Sequence, residues 1–264
     1  MGDLKQEIAR EVPFMRRFAR AVLGSQASAD AQVKEALHRL LSDAAPIERL
    51  GVKVALFQAL NAALKLPAAQ TPGEKPAGLD GGSVLNSRLD GLLPVGRRLL
   101  LLTTLEGFSL ADAARIVDLP LENAGLVLKE AKESLRHQPA TRILIIEDEP
   151  VIALDISATI TQSGHTVIGI ATTHKEAVEM ASTGDPGLIL ADIQLADDSS
   201  GLEAVQEILS KVDLPVIFVT AYPERLLTGE RPEPTFLITK PFDHDTLKVT
   251  IAQALATAGF QGQA

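Results

Sequence analysis

Cysteine is absent from the 264 residues, so a disulfide, a thiolate metal site and a cysteine nucleophile are all excluded. That suits a reducing cytoplasm, where the chain is expected to reside. Tryptophan is absent and tyrosine occurs once, which leaves little aromatic surface on which nucleic-acid bases could stack. No apolar run approaches the ~20 residues that span a bilayer. The opening stretch MGDLKQEIAR lacks the apolar core of a signal peptide, so no membrane partner is expected. Positive charge is scarce in one half. Residues 140–264 hold 7 Lys and Arg against 18 Asp and Glu, whereas residues 1–139 hold 18 against 16. So acidic a half argues against nucleic acid there.

What is present falls into two periodicities. Up to His137 the apolar residues recur at helical spacing. The pattern predicts a helix over 4–23, with a break at Pro13, carrying Phe14, Phe18 and Val22 on one face and Arg16, Arg17 and Arg20 elsewhere. Ser28 or Asp30 is placed to cap a second helix that ends near Leu41. A third is predicted from Ile47 to Leu66, with Leu50, Val54, Phe57, Leu60 and Leu64 toward a bundle core. Residues 67–82 hold three Pro and four Gly, which reads as a flexible linker. Helix resumes near Ser83. Pro94 opens a further helix and Gly107 ends it. Ser109 caps the next, with Asp112 three residues on. A turn at Val117–Pro120 leads to a last helix ending at His137. Two short helices around a tight turn form a helix-turn-helix.

From Arg142 short β-branched runs alternate with amphipathic helices. Strands are predicted near 143–147, 166–171, 187–191, 214–219 and 235–239. Helices are predicted near 150–163, 174–183, 201–210, 223–229 and 243–258. Five such βα units imply a parallel sheet covered on both faces.

Chemistry gathers at the ends of these strands. Leu188–Ala191 reads as a buried strand with Asp192 at its carboxyl end, the edge where open α/β sheets bind ligands. Glu147 and Asp148 end the first strand, Thr220 ends the fourth and Lys240 the fifth. Taken singly, each is an ordinary loop or turn residue. Together they compose a site for Mg²⁺ and a phosphoryl group. Three carboxylates suffice for a cation that keeps several waters and also takes phosphate oxygens. Asp192 is the nucleophile that forms an aspartyl phosphate. The Thr220 hydroxyl and Lys240 ammonium bind phosphoryl oxygens, and the Gln194 carbonyl is a further candidate metal ligand.

These residues resemble the receiver domain of two-component response regulators: the acid pair Glu147-Asp148, the acceptor Asp192, Thr220, and Lys240-Pro241-Phe242. The resemblance implies a doubly wound five-stranded (βα)5 fold over 140–262, Mg²⁺ as cofactor, and a sensor histidine kinase as phosphodonor. The chain departs from it in two places. The first acid is Glu, and Leu237 stands three before the Lys, where receivers carry an aromatic switch residue; Phe236 lies one earlier. Phe218–Tyr222 is similar to a receiver subgroup with an FATG-type motif and no standard switch.

Leu93–His137 resembles region four of extracytoplasmic-function sigma factors through Leu93-Pro94, Arg97, Leu105-Glu106-Gly107 and Ser109–Ala114. The all-α half then divides into a region-two-like part, 1–66, and a region-four-like part, 83–138. DNA affinity rests largely on Lys and Arg at phosphates. From Leu121 to Arg136 three basic residues are balanced by three Glu, and no Arg or Lys stands at the helix start to read guanine. A sigma-like bundle without DNA chemistry, followed by a receiver, resembles PhyR-type general stress response regulators, as does the stretch 12–26. The resemblance implies an anti-anti-sigma factor that sequesters a NepR-type anti-sigma factor under control of Asp192 phosphorylation. The linker would let the two sigma-like parts clamp an anti-sigma helix, with Arg16, Arg17 and Arg20 as partners for acidic groups. One rival reading is a phosphorylation-controlled transcription factor using the helix-turn-helix. Another is a Mg²⁺-dependent phosphatase. Gln194 stands where such hydrolases carry a second Asp, so a switch is expected and not an enzyme.

Overall fold

The structure, a computed structural model, describes residues 2–64, 94–135, 139–195, 200–227 and 234–261. The chain divides into two compact units, the first drawn mainly from residues before 135 and the second mainly from those after it.

The first unit is all helical. Its elements are α1 (Gly2–Leu23), α2 (Gln26–Ser42), α3 (Ala45–Leu50), α4 (Val52–Ala63), α5 (Pro94–Thr104), α6 (Leu110–Ile116) and α7 (Leu121–Leu135). α1 runs through Pro13 without the expected break. The α2 cap is Ser25, whose hydroxyl accepts from Ser28 N–H, and neither Ser28 nor Asp30 fills that role. Asp30 instead accepts from Arg16 Nε at 2.7 Å. The single helix expected over 47–66 is two, because Gly51 adopts φ +79, a left-handed conformation that ends α3 and opens α4. The linker 67–82 and the helix expected from Ser83 to Leu92 lie outside the described residues.

The core of this unit joins its early and late helices. Phe57 of α4 packs edge-on against Phe18 of α1 and against Phe108 after α5, with ring centroids 5.6 and 5.0 Å apart. Arg17, expected at the surface, is 3% exposed and pairs with the equally buried Glu106. Its Nε donates to Oε1 at 3.1 Å, and its Nη2 donates to Oε2 and to the Leu105 carbonyl, both at 2.9 Å. Arg20 is buried as well. Of the three arginines offered to a partner, only Arg16 keeps appreciable exposure. Arg97 Nη2 donates to the Ala21 carbonyl, Arg98 to Asn61 Oδ1, and Lys53 Nζ to the Glu106 carbonyl. The region-two-like and region-four-like parts therefore form one packed body in this structure. In the helix-turn-helix, Ser109 accepts from Asp112 N–H as the capping pattern predicts, and Asp118 takes φ +58 in the turn before α7.

The second unit is a parallel sheet flanked by helices. Its elements are β1 (Arg142–Ile146), α8 (Pro150–Gln162), β2 (Thr166–Ala171), α9 (His174–Gly184), β3 (Leu188–Ala191), α10 (Gly201–Leu209), β4 (Val216–Thr220), β5 (Phe236–Thr239) and α11 (His244–Gln261). The strand order is β2-β1-β3-β4-β5, all parallel. β3 is buried along its length, as are β1 after Arg142 and β4 after Val216, which is why they read as continuous apolar runs. α9 packs with α10, and α8 with α11. The helix expected over 223–229 is a single 3₁₀ turn, Pro223–Arg225, among the described residues. From β1 the chain moves outward to β2, then returns to the other side of β1 as β3. The carboxyl ends of β1 and β3 thus flank the point where winding reverses, the place where such sheets bind ligands.

Candidate phosphoacceptor site

Three backbone hydrogen bonds set the site residues at the sheet edge. Each continues a strand ladder by one residue. Glu147 N–H donates to the Ala171 carbonyl at 2.9 Å, Asp192 N–H to Ile146 at 2.8 Å, and Lys240 N–H to Thr220 at 2.8 Å. The side chains that follow β1, β3 and β5 therefore project from a fixed frame. Thr220 closes β4, the strand between β3 and β5.

Lys240 is the hub. Its ammonium donates to Asp192 Oδ2 at 2.7 Å and to Glu147 Oε1 at 3.0 Å, with Glu149 Oε1 at 3.7 Å. Glu147 Oε2 also lies 2.9 Å from Nζ, but in an ion pair only; that oxygen is buried and has no hydrogen bond. Asp192 Oδ1 accepts from Ile193 N–H at 2.6 Å. Carboxylate oxygens of Glu147, Asp148 and Asp192 all lie within 4.8 Å of one another. Among the described residues no other group of three or more potential metal ligands occurs. Burial pushes the Glu147 carboxyl above its ordinary range, against the pull of Lys240. For Lys240 burial acts to lower the pKa, but Asp192 and Glu147 outweigh it and hold the ammonium above its ordinary value. One ammonium thus serves a cluster of three carboxyl groups.

The arrangement fits a divalent cation. Three crowded carboxylates exceed the charge of one ammonium, and the buried Glu147 Oε2 meets that ammonium only as an ion pair, with no hydrogen bond of its own. Thr220 Oγ1 accepts from Tyr222 N–H at 3.1 Å, a bond that leaves its own proton available to an incoming oxygen. The Gln194 backbone lies two residues beyond Asp192 and bridges Ser200.

All of Glu147, Asp148, Asp192 and Lys240 are brought together, and Thr220 shares their edge. Glu149, which approaches the ammonium, was not anticipated; the run Glu147-Asp148-Glu149 was the signal for it. Leu237 is fully buried and pairs with Phe218, and Phe236 is 3% exposed, so β5 presents no aromatic ring to solvent. Tyr222 is the exposed ring nearby in sequence, with the Arg225 guanidinium 4.8 Å above it.

The helix-turn-helix shows a different chemistry. On α7 Leu121 and Leu126 are each more than half exposed, and Glu122, Lys129, Glu130 and Glu133 share the outer surface. No described helix is long and apolar enough to cross a membrane.

Family models match three stretches: the Sigma2 domain of PhyR over 8–61, the sigma-like domain of response regulator PhyR over 89–138, and the response regulator receiver domain over 143–252. The phyllosphere-induced regulator PhyR of Methylorubrum extorquens is 44% identical over 257 residues, covering 95% of this chain and 93% of that protein. The anti-anti-sigma factor PhyR from Bartonella quintana is 42% identical, with a TM-score of 0.82 over 98% of each chain. That Bartonella protein has also been solved in complex with the anti-sigma factor NepR; there the identity is 43%, the TM-score 0.39, and the coverage 96% of this chain and 98% of that one. A sigma-like helical unit, a receiver sheet with an acid trio and lysine at its edge, and these matches along the chain agree: the chain belongs to the PhyR family of response regulators.

Proposed function

We propose that the chain is a phosphorylation-controlled anti-anti-sigma factor that sequesters a NepR-type anti-sigma factor and so releases an extracytoplasmic-function sigma factor. The observation that carries the phosphoacceptor half of this reading is the Lys240–Asp192 pair at 2.7 Å beside the Glu147 and Asp148 carboxylates. Asp192 attacks the phosphorus of a sensor kinase's phosphohistidine. The P–N bond breaks, the new P–O bond makes an acyl phosphate, and the imidazole leaves. Glu147, Asp148, Asp192 and the Gln194 carbonyl would hold Mg²⁺, which offsets the charge of the acids and of the incoming phosphoryl group. Lys240 already contacts the acceptor carboxylate, so it is placed to follow the phosphoryl oxygen that replaces that contact. The Thr220 hydroxyl donates to another of these oxygens. Gln194 in place of a carboxylic acid supports a switch in preference to a turnover phosphatase.

The sigma-like half supplies the output. Its span is taken as 1–66 and 83–138, joined by 67–82, with the receiver over 140–262. The exposed leucines and balanced charge of α7 suit a protein partner better than phosphate-lined DNA. Phosphorylation raises the population of the binding-competent form by no more than the difference in interaction free energy between the two forms.

The test is the affinity of the purified chain for a NepR-type anti-sigma factor, with and without Mg²⁺ and beryllofluoride as the aspartyl-phosphate mimic. The expected gain is tenfold or more, about 1.4 kcal/mol, and absent in Asp192→Ala. Equal, tight binding by Asp192→Ala would remove the switch. Promoter binding in place of anti-sigma binding would favour the transcription-factor reading.

A further inference from the structure

From the backbone packing at the start of α10 we infer that Gly201 is a positioning residue for Asp192. The inference rests on the reading of Asp192 as the phosphoacceptor and extends it to a residue outside the site's charged groups.

A Cβ on Gly201 would lie 1.9 Å from the Asp192 carbonyl oxygen and 3.1 Å from its carbonyl carbon. Both atoms are backbone, so no side-chain rotation relieves the overlap. To reach even 3.0 Å, shorter than real Cβ contacts, either α10 or the Asp192 peptide must move by more than an ångström. Retreat of α10 is opposed by Gly201 N–H, which donates to the Ile193 carbonyl at 2.9 Å, and by the Gln194–Ser200 bridge one residue earlier. Ser200 in turn caps α10 by accepting from Glu203 N–H.

The other route moves the acceptor. The Asp192 carbonyl and the Ile193 N–H belong to one planar peptide unit. Rotating that unit to clear a methyl group also swings the Ile193 N–H, which holds Asp192 Oδ1 at 2.6 Å. The opposite oxygen, Oδ2, is held by Lys240 at 2.7 Å. A side chain at 201 therefore loosens the shorter of the two backbone hydrogen bonds to Oδ1, the other being from Gln194 N–H at 3.5 Å, while the Lys240 contact to Oδ2 remains. Gly201 touches neither phosphoryl group nor metal ligand atoms; it acts through the 192–193 peptide.

Two other glycines in the same unit supply the control. A Cβ on Gly184 would meet Ile168 Cδ1 at 2.6 Å, and one on Gly169 would meet Met180 Sδ at 2.7 Å, in each case a movable side-chain atom. The experiment compares full-length wild type, Gly201→Ala and Gly184→Ala. Asp192 phosphorylation by acetyl phosphate with Mg²⁺ is followed by intact mass, folding by circular dichroism and thermal melting, and the Ile193 amide by NMR. Gly201→Ala should be folded, phosphorylated at least tenfold more slowly, and shifted at the Ile193 amide. Gly184→Ala should be phosphorylated within twofold of wild type with an unshifted amide. A Gly201→Ala chain that is phosphorylated at the wild-type rate, that slows only as much as Gly184→Ala for the same loss of stability, or that fails to fold would overturn the inference. A wild-type chain that gains no phosphoryl mass at Asp192 would refute the acceptor assignment instead.

Discussion

Replacing Glu106 with alanine tests whether the sigma-like half is held together by its buried ion pair. The Arg17 and Glu106 side chains are 3% and 1% exposed, and three hydrogen bonds fix the guanidinium to the carboxylate and to the Leu105 carbonyl. Removing one partner of such a pair costs about 3–5 kcal/mol, because the remaining charge stays in a poorly solvated place. The contrast is Arg39–Glu35 on α2, whose side chains are 44% and 50% exposed. Solvent screens that pair, and Glu35→Ala should cost no more than about 0.5 kcal/mol. The pair joins α1 to the segment between α5 and α6, so the loss should be felt in both places. Amide hydrogen exchange on the intact chain reads it locally, without assuming that the two units unfold together. Glu106→Ala should speed exchange in α1 and in residues 105–116 by roughly 100-fold or more, since ~1.4 kcal/mol is tenfold. Glu35→Ala should change it about twofold. If Glu106→Ala altered exchange no more than Glu35→Ala, the buried pair would not hold the two parts together. Changing both residues at once to apolar ones of similar volume should recover much of the loss, since no charge is then left buried.

Two further outcomes follow from the receiver. Lys240→Ala leaves three carboxylates within 4.8 Å without their ammonium, so Mg²⁺ should raise its melting temperature more than that of wild type; an equal rise would show that lysine and metal do not share the same charge. His165 gives a pH signature. Burial holds its imidazole below the ordinary 6.5, and Nδ1 accepts from Thr141 N–H at 3.3 Å, which requires the ring to be unprotonated there. Above pH 6.5 folded and unfolded forms are both neutral and stability is flat in this group. Below it the unfolded chain binds a proton that the folded chain refuses, so stability falls until the folded pKa is reached. Urea midpoints at pH 7.5, 6.5 and 5.5 should decline more steeply for wild type than for His165→Gln, and parallel slopes would dismiss the histidine.

The receiver was legible because its signals are local. Each buried parallel strand is a run of β-branched and aliphatic residues, and the residue that ends the run is the residue at the sheet edge. All five strands lie within two residues of their expected bounds, and the acid pair, Asp192 and Lys240 meet because strand order brings their ends together. The helical half was read less well wherever a distant residue decides the outcome. Arg17 looks like surface charge until Glu106, 89 residues on, is folded against it. The only local hint was its spacing, three residues after Phe14 and four before Ala21, on the inward side of α1. Gly51 sits inside an unbroken helical pattern; only its positive φ separates α3 from α4.

Gly201 belongs to the same class of hidden requirement. In sequence it is the third residue of a Ser-Ser-Gly run, ordinary chemistry for a helix start. Its demand arises from a backbone oxygen nine positions earlier, brought within reach where the Gln194–Ser200 bridge and the Gly201–Ile193 hydrogen bond hold α10 against the end of β3. The charged residues of a site are thus visible one by one because their chemistry is unusual at a strand end. The residue that lets the acceptor stand where it does is visible only as the absence of a side chain at one point of contact.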